Sequence, residues 1–246
     1  MYGCAYARGG LCMKIILDGM GGDNAPYAVV EGAVLASKEI EHQILIIGKE
    51  ELINEELKKY SYDGEKIKVV HAEEVISNDD APVRAVRSKK NSSIVMGINM
   101  VKRGEGDIFI SAGSTGALLA GGLFILGRIQ GIDRPALASI YPILGGVPSL
   151  LVDAGANSDC KPNNLLEFGI MGNIYMEKVI GRENPKVGLV NIGAEASKGS
   201  TLTKAAYELL EQSKMNFIGN VEAREVPEGA CDVIVTDGFT GNVLLK

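Results

Sequence analysis

The feature that most constrains the fold is the regular alternation of short apolar runs with longer segments of helical periodicity. Several of the runs are solidly apolar, which is typical of strands buried on both faces of a sheet. Strands that alternate with helices along a chain usually lie parallel to one another. We therefore predict an α/β protein with three α/β/α layers around a mainly parallel sheet.

The alternation gives bounds for most elements. The predicted strands are 14–17, 43–47, 66–71, 107–112, 136–142, 149–152, 186–191, 216–219 and 231–236. The predicted helices are 25–39, 49–59, 92–102, 117–127, 164–180, 201–212 and one that begins at 237. Residues 73–91 form a polar stretch without a predicted element. The last helix would be cut after about one turn, too short to be stable alone, so we expect the natural C-terminal portion to be missing.

No linker, repeat or low-complexity segment divides the sequence. We expect residues 13–246 to form a single α/β domain. Residues 1–12 differ in composition, make a poor signal peptide and precede Met13, so we interpret them as an upstream extension or a cloning remnant.

Composition excludes several functions. The net charge of -6 and the absence of Trp argue against a nucleic-acid binder. No apolar run reaches the ~18–20 residues that a membrane span needs. The four cysteines and two histidines have no metal-ligand spacing, so we expect no metal and no cofactor. A reduced, cytoplasmic protein is the simplest interpretation.

One strand–turn–helix joint contains the sequence Gly113-Ser-Thr-Gly116. Ser114 or Thr115 could cap the following helix, and glycine lets a backbone approach a bound group closely. The free N–H groups and the dipole of a helix N-terminus favour an anion such as phosphate. The alternative is an ordinary capped joint, because the sequence matches neither the P-loop nor the dinucleotide pattern.

Small and polar residues follow nearly every predicted strand, and ligands of open α/β sheets bind outside those strand ends. Asp and Asn are also common at turns and caps, so each residue alone is better explained as a cap. As a set they indicate a shared pocket; they are Asp18, Gly21, Gly22, Asp23, Ser111, Gly113, Ser114, Thr115, Asp153, Asn157, Asn191, Glu195, Lys198, Asn220, Glu222, Asp237, Thr240 and Asn242.

Covalent catalysis is poorly supported. The sequence has no Gly-x-Ser-x-Gly motif and no Ser/His/Asp series. His71 ends a strand and could be a general base, although a partly buried, hydrogen-bonded histidine is the commoner case. Cys160 is next to Lys161, which is weak support for a lowered thiol pKa. Donor-rich loops instead suit direct transfer between two bound substrates.

Seven motifs within residues 13–246 occur in a characteristic order. They are Asp18-Gly-Met-Gly-Gly-Asp-Asn-Ala-Pro26, Arg84-Ala-Val-Arg87 with Lys89-Lys-Asn-Ser-Ser93, Ser111-Ala-Gly-Ser-Thr-Gly116, Gly131-Ile-Asp-Arg-Pro-Ala136, Asp153-Ala-Gly-Ala-Asn157, Asn216-Phe-Ile-Gly-Asn-Val-Glu-Ala-Arg224 and Asp232-Val-Ile-Val-Thr-Asp-Gly-Phe-Thr-Gly-Asn242. In these motifs the chain resembles the bacterial phosphate acyltransferases of phospholipid synthesis, the PlsX family.

The resemblance implies a fold like those of phosphotransacetylases and isocitrate dehydrogenases. It implies transfer of a fatty acyl group from acyl carrier protein to inorganic phosphate, and a product used by a membrane glycerol-3-phosphate acyltransferase. It also implies a homodimer, either cytoplasmic or peripheral at the inner face of the membrane. The family's C-terminal part contributes to dimerisation and membrane contact, so we expect this 246-residue form to lack full activity.

Candidate roles follow from this resemblance and from the residue types. We expect phosphate to bind at Asn91, Ser92, Gly113, Ser114, Thr115, Gly116 and a cation such as Arg87 or Lys198. Amides that could donate to the carbonyl oxygen are Asn157, Asn191 and Asn242. Asp18 and Asp237 would orient neighbouring donors. The densest basic cluster, expected to contact the acidic carrier protein, is Arg84, Arg87, Lys89 and Lys90.

Three alternatives remain open at this point. A phosphate acyltransferase that uses acyl-coenzyme A would have much the same sequence pattern. A dehydrogenase of related fold would need a carboxylate metal cluster and a nicotinamide site, and no dinucleotide motif is present. A non-catalytic scaffold for the carrier protein would not need polar strand ends.

Overall fold

A computed structural model describes residues 12–246. Most of the predicted extension, residues 1–11, lies outside the described residues. The chain divides into two compact units, Met1–Gly127 and Arg128–Lys246. Each unit has its own parallel or mainly parallel sheet, so the strands form two sheets where the sequence analysis expects one.

The first unit has four parallel strands in the order β3-β2-β1-β4. The strands are β1 (Lys14–Asp18), β2 (Gln43–Gly48), β3 (Ile67–His71) and β4 (Ile108–Ile110). The helices are α1 (Tyr27–Glu39), α2 (Glu50–Leu57), α3 (Pro82–Ser88), α4 (Ser93–Lys102) and α5 (Thr115–Gly121), and α5 continues as a π-helical turn, Gly122–Leu126.

The second unit has five strands in the order β5-β6-β9-β7-β8. They are β5 (Ala138–Tyr141), β6 (Ser149–Val152), β7 (Lys186–Asn191), β8 (Asn216–Glu222) and β9 (Val233–Val235), and only the β5–β6 pair is antiparallel. The helices are α6 (Pro162–Tyr175), which continues as the π-helical turn Met176–Ile180, α7 (Thr201–Glu211) and α8 (Gly238–Leu245), with a 3₁₀ turn at Val226–Glu228.

Burial explains why the apolar runs are solid. All four residues of β6 and all three of β9 are buried, and Phe168 and Leu165 of α6 pack in the same core cluster. In the first unit, Ile46 of β2 packs with Val30 of α1. In a parallel sheet covered on both faces, the side chains on either face are buried away from water. Such strands are therefore apolar throughout and do not alternate apolar and polar residues as a half-exposed strand does.

The predicted alternation of strands and helices is confirmed, and so is the α/β class. The helix α3 is an addition, since the sequence analysis has no element in residues 73–91. Pro82 opens this helix, at a position where its missing N–H leaves no helical hydrogen bond unmade. The local signal was present, but it lay within a charged segment with little apolar periodicity.

Three polar side chains cap helices in the structure, among them Ser114 as predicted. The side chains of Ser92, Ser114 and Asp237 accept hydrogen bonds from the backbone N–H three residues later. Each cap fixes the point where a loop becomes a helix, and so places the polar residues beside it. Within residues 12–246, no helix has the length and apolar character needed to cross a membrane.

Candidate active site

The polar strand ends fall into two groups, one at the carboxyl edge of each sheet. In the first unit, Asp18 ends β1 and Ser111 follows β4, its neighbour in the sheet. The Ser111 hydroxyl donates to Asp18 Oδ2 at 2.6 Å and accepts from the Gly113 N–H at 3.0 Å. Asp18 is 1% exposed, and its Oδ1 accepts from the Met20 N–H at 3.1 Å. A buried carboxylate thus orients the loop that follows β4.

Glycine is required where the two loops of this unit meet. A Cβ added at Gly21 would lie 2.6 Å from Asp18 Oδ2 and 2.8 Å from the Gly113 nitrogen. Such distances are well inside van der Waals contact, so a side chain there would displace the network. The loop after β1 and the loop after β4 therefore form one close-packed cluster.

The turn Gly113–Gly116 leads directly into α5. Ser114 is buried and caps the helix through the Ala117 N–H at 3.3 Å, while Thr115 is exposed. Because the Gly113 N–H already donates to Ser111, the backbone donors left in the turn are the N–H groups of Ser114, Thr115 and Gly116, which have no acceptor among the described residues. These groups, with the helix dipole, are suited to an anion.

Helix α3 packs against this turn. A Cβ at Gly116 would lie 2.7 Å from Pro82 Cγ, and Ala85 and Val86 share a buried cluster with Ala117. The inner face of α3 is therefore fixed by the start of α5, and its outer face presents exposed basic residues.

The predicted docking residues have different environments. Arg84 and Arg87 are exposed, and neither forms a salt bridge with any residue in the range 12–246. Lys89 Nζ donates to Asp80 Oδ2 at 2.6 Å and to the Val75 carbonyl at 2.8 Å. This pairing lowers the pKa of Asp80, chiefly through the Lys89 hydrogen bond. The Lys90 ammonium donates to the Val86 carbonyl at 3.3 Å.

Two predicted phosphate ligands lie at the start of α4. Ser92 is fully buried, and its hydroxyl both donates to the Lys89 carbonyl and accepts from the Val95 N–H. Asn91 is exposed, and its N–H donates to Glu74 Oε2 at 3.0 Å. Both residues have structural contacts of their own, and their assignment to phosphate stays a prediction.

In the second unit, Asp153 follows β6 and is completely buried. Its two oxygens accept five hydrogen bonds, from the N–H groups of Leu137, Gly155, Ala156 and Asn157 and from Asn157 Nδ2. The Asn157 amide also donates to the Pro135 carbonyl at 2.8 Å. Both amide hydrogens of Asn157 are therefore used, one by Asp153 and one by the Pro135 carbonyl.

Helix α8 begins against the Asp153 loop. Asp237 caps it by accepting from the Thr240 N–H and from the Thr240 hydroxyl. A Cβ at Gly241 would collide with the Asp153 carbonyl oxygen. Asn242, on the same helix, donates through Nδ2 to the Ala154 carbonyl at 3.4 Å. This is a long hydrogen bond, and among residues 12–246 the Asn242 amide makes no other.

A third amide lies at the ends of β7 and β8. Asn191 Nδ2 donates to Asn220 Oδ1 at 3.1 Å and to the Lys198 carbonyl at 3.2 Å. Asn220 in turn donates to the Glu195 carbonyl. The Lys198 side chain is exposed and forms no salt bridge within the described chain. Asn191 therefore holds its loop together, as Asn157 does.

The free thiols are not activated. Burial, with the nearby carboxylates of Asp153 and Asp237, raises the pKa of the Cys160 thiol. Burial likewise raises the pKa of Cys231 to about 12. A protonated thiol is a poor nucleophile, so the neighbouring Lys161 does not produce a reactive cysteine. His71 is exposed, and its Nδ1 accepts a long 3.5 Å bond from the Glu50 N–H.

Sequence reasoning assigned no role to three organising residues: Ser111, Asp153 and Pro82. Ser111 and Asp153 were noted only as polar strand ends. A serine two residues before a glycine turn is a local signal, but its aspartate partner is 93 positions away. Contacts over that separation depend on the order of strands in the sheet, which local pattern does not determine.

Comparison with known proteins identifies the fold first. A phosphotransacetylase from Streptococcus pyogenes aligns with a TM-score of 0.71 over 94% of this chain and 79% of its own, at 19% identity. The chain therefore has a phosphotransacetylase-like fold, and at this identity the likeness extends to the fold alone.

The sequence comparisons are closer. A family model described as "Fatty acid synthesis protein" matches residues 13–246. A phosphate acyltransferase from Alkaliphilus oremlandii is 59% identical over 95% of this chain and 70% of its own length. One from Clostridioides difficile is 56% identical over 95% of this chain and 69% of its own. The chain belongs to the phosphate acyltransferase family and is an acyltransferase.

Proposed function

We propose that this protein transfers a fatty acyl group directly from acyl carrier protein to inorganic phosphate, with no acyl-enzyme intermediate. The observation that supports this most is the turn Gly113–Gly116, which is oriented by the Asp18–Ser111 network and keeps unpaired N–H donors at a helix start. The buried Asp18 carboxylate accepts hydrogen bonds from the Met20 N–H and the Ser111 hydroxyl. These donors reduce the repulsion between that carboxylate and an anion bound at the turn.

The reaction needs few catalytic groups. An oxygen of hydrogen phosphate attacks the thioester carbonyl carbon, and a C–O bond forms. The tetrahedral intermediate collapses, the C–S bond breaks, and the thiolate takes the proton that the phosphate loses. Because a cysteine-like thiol has a pKa of about 8.5, the leaving group needs no strong acid. Positioning and stabilisation of the oxyanion supply the rate enhancement.

Asn242 is the best candidate for the oxyanion donor. The amide of Asn157 donates to Asp153 and to the Pro135 carbonyl, and that of Asn191 donates to Asn220 and to the Lys198 carbonyl. Asn242 makes a single long bond to Ala154, so one of its amide hydrogens has no described partner. A donor of this kind typically contributes about 2.7–4 kcal/mol to transition-state stabilisation. Asp237 then has a supporting role, because its cap fixes the start of the helix that carries Asn242.

Cysteine chemistry supports the direct route. The raised pKa values of Cys160 and Cys231 keep both thiols protonated at neutral pH. Neither can readily take over the acyl group from the donor. Inorganic phosphate is therefore the nucleophile in this mechanism.

The remaining parts of the proposal rest on the family resemblance. The acyl donor docks at the basic outer face of α3, where Arg84 and Arg87 are exposed and form no salt bridge with any residue from 12 to 246. The protein acts as a homodimer in the cytoplasm or at the inner membrane face. Its acyl phosphate product is consumed by a membrane glycerol-3-phosphate acyltransferase.

The test is phosphate-dependent release of free thiol from acyl carrier protein. In a variant with Ser114→Ala and Thr115→Ala, we expect the KM for phosphate to rise at least about tenfold. The change removes the Ser114 cap that fixes the N–H donors of the turn, and it removes the exposed Thr115 hydroxyl beside them. Ser213→Ala, which removes a hydroxyl bonded to the Leu210 carbonyl, is the matched control. Unchanged phosphate kinetics in the double variant would remove this turn from the site.

The acyl donor needs its own comparison. Acyl carrier protein and acyl-coenzyme A are supplied at equal concentration, and kcat/KM is measured for each. A higher value with the carrier protein supports the proposal, and a higher value with coenzyme A assigns the protein to the other donor. Carrier-protein binding without any thiol release would indicate a scaffold.

A further inference from the structure

A groove of about 610 Å³ runs along the outer face of α3. The apolar part of its lining, called here the apolar floor, is Ala81, Pro82 and Val83, and the polar part is Arg84, Arg87 and Ser88. Val83 is 45% exposed, which is high for a valine next to the packed inner face of the helix. The groove therefore combines an apolar floor with two cations.

The two guanidinium groups are available for an anion. Arg84 and Arg87 are three residues apart, so they project from the same side of the helix. No carboxylate in the range 12–246 forms a salt bridge with either. The Arg87 guanidinium lies 5.3 Å from the centre of the Phe124 ring, and this cation–π contact restrains it without neutralising it.

The groove is adjacent to the predicted phosphate turn. Pro82 forms part of its floor and, on its other side, contacts Gly116. Ala85 and Val86 are buried against Ala117 and hold α3 in that position. A long ligand in the groove therefore passes close to the N-terminus of α5.

We infer that this groove binds the phosphopantetheine arm of the acyl donor, with its phosphate on Arg84 and Arg87 and its aliphatic part over Pro82 and Val83. The inference rests on the proposed function, because it takes the substrate to be a thioester of that arm. The arm has one phosphate, a branched aliphatic unit, two amides and a terminal sulfur. Two arginines beside an apolar floor match the first two of these groups in order.

The number of free cations favours the arm over a broad acidic protein face. The ammonium of Lys89 is held by Asp80 and Val75, and that of Lys90 contacts the Val86 carbonyl. Arg84 and Arg87 are the two members of this cluster whose side chains donate to no described acceptor, whether side chain or backbone. Paired guanidinium groups bind one phosphate with several charge-assisted hydrogen bonds, and they fit that group better than a dispersed surface.

The experiment compares acyl-phosphopantetheine with acyl-pantetheine, which lacks only the phosphate. For the unmodified protein we expect the KM for the phosphorylated donor to be at least about tenfold lower. In a variant with Arg84→Gln and Arg87→Gln this preference should disappear. Arg103→Gln, which removes an exposed arginine paired with Glu105, is the matched control.

A second variant guards against misfolding. Val83→Gln should raise the KM for both small donors equally and keep the preference for the phosphorylated one. If the arginine variant retains that preference, the inference is wrong. It is also wrong if the arginines affect acyl carrier protein but neither small donor, because they then contact the protein. These two results can be told apart from a failure of the proposed function. In that case the unmodified protein would release no thiol when phosphate is added.

Discussion

Each unit has a buried aspartate at the end of a central strand, and the two carboxylates differ in the number and origin of their hydrogen-bond donors. Asp153 accepts five hydrogen bonds, most of them from the loop that it begins. Asp18 accepts two, and one of these comes from Ser111 on a different strand. Asp153 is therefore the centre of a closed loop, whereas Asp18 links two loops.

The difference distinguishes a polar loop whose donors are bonded internally from one that keeps donors for a ligand. A loop that satisfies its own donors, as the Asp153 loop does, has little left to offer a ligand. The Asp18 network uses one hydroxyl to fix a turn and leaves the next N–H groups unpaired. A polar strand end therefore indicates a binding site only when some of its donors remain free.

The largest effect should come from the closed loop. Asp153→Ala leaves several buried N–H groups without acceptors, so we expect the free energy of unfolding to fall by about 3–5 kcal/mol. Urea denaturation measures this change. Asp159→Ala, at an exposed position six residues later, should change the stability by less than about 0.5 kcal/mol. If Asp153→Ala lowered the free energy of unfolding only slightly, the five buried hydrogen bonds would stabilise the fold no more than hydrogen bonds at the surface.

The open network should instead respond in activity. Ser111→Ala removes the link between Asp18 and the Gly113 N–H, so we expect the phosphate KM to rise about tenfold with a stability loss of only about 1–2 kcal/mol. Steady-state kinetics and urea denaturation on the same samples separate the two effects. A large stability loss with unchanged KM would make the two networks alike and contradict the comparison.

The smallest effect concerns the Asp80–Lys89 pair, which lies outside both networks. The Lys89 hydrogen bond lowers the pKa of Asp80 from the usual 3.8. The ionised Asp80 carboxylate therefore stabilises the folded protein above its usual pKa. This stabilisation is lost as the pH falls through the lower pKa that Asp80 has in the folded state. In the Lys89→Met variant, the stability should fall less as the pH is lowered. The measurement is the midpoint of urea denaturation between pH 6 and pH 2. Lys68→Met, at an exposed pair with Glu65, should leave the profile unchanged.

Local sequence signals predicted the helices and strands well, because caps and apolar runs act over a few residues. Ser92, Ser114 and Asp237 begin their helices as expected. The division into two sheets and the antiparallel β5 were not predicted, since the pairing partner of a strand is set by contacts across the chain. Helix α3 was missed because its charged outer face hides the buried Ala85 and Val86.

From the sequence, the candidate site is predicted as a set of residues whose separate roles stay open, and the assignment of that set remains a prediction. Residue type alone makes Asn157, Asn191 and Asn242 equivalent. Their hydrogen bonds distinguish them, because two amides are used internally and the third keeps a free hydrogen. Lys89 is a similar case, since its ammonium is held by an aspartate nine positions earlier. These hydrogen bonds depend on neighbours in three dimensions, which a single sequence does not reveal.

The close contact between Pro82 and Gly116 has a consequence for engineering and for evolution. Because α3 is held through its inner side, mutations on its outer side can accumulate without moving the turn beneath it. Preference for one thioester over another could then drift through positions such as Val83 and Arg84 while the chemistry stays the same. A library that randomises the outer face and keeps residues 82 and 116 fixed would explore new donors at little risk to folding.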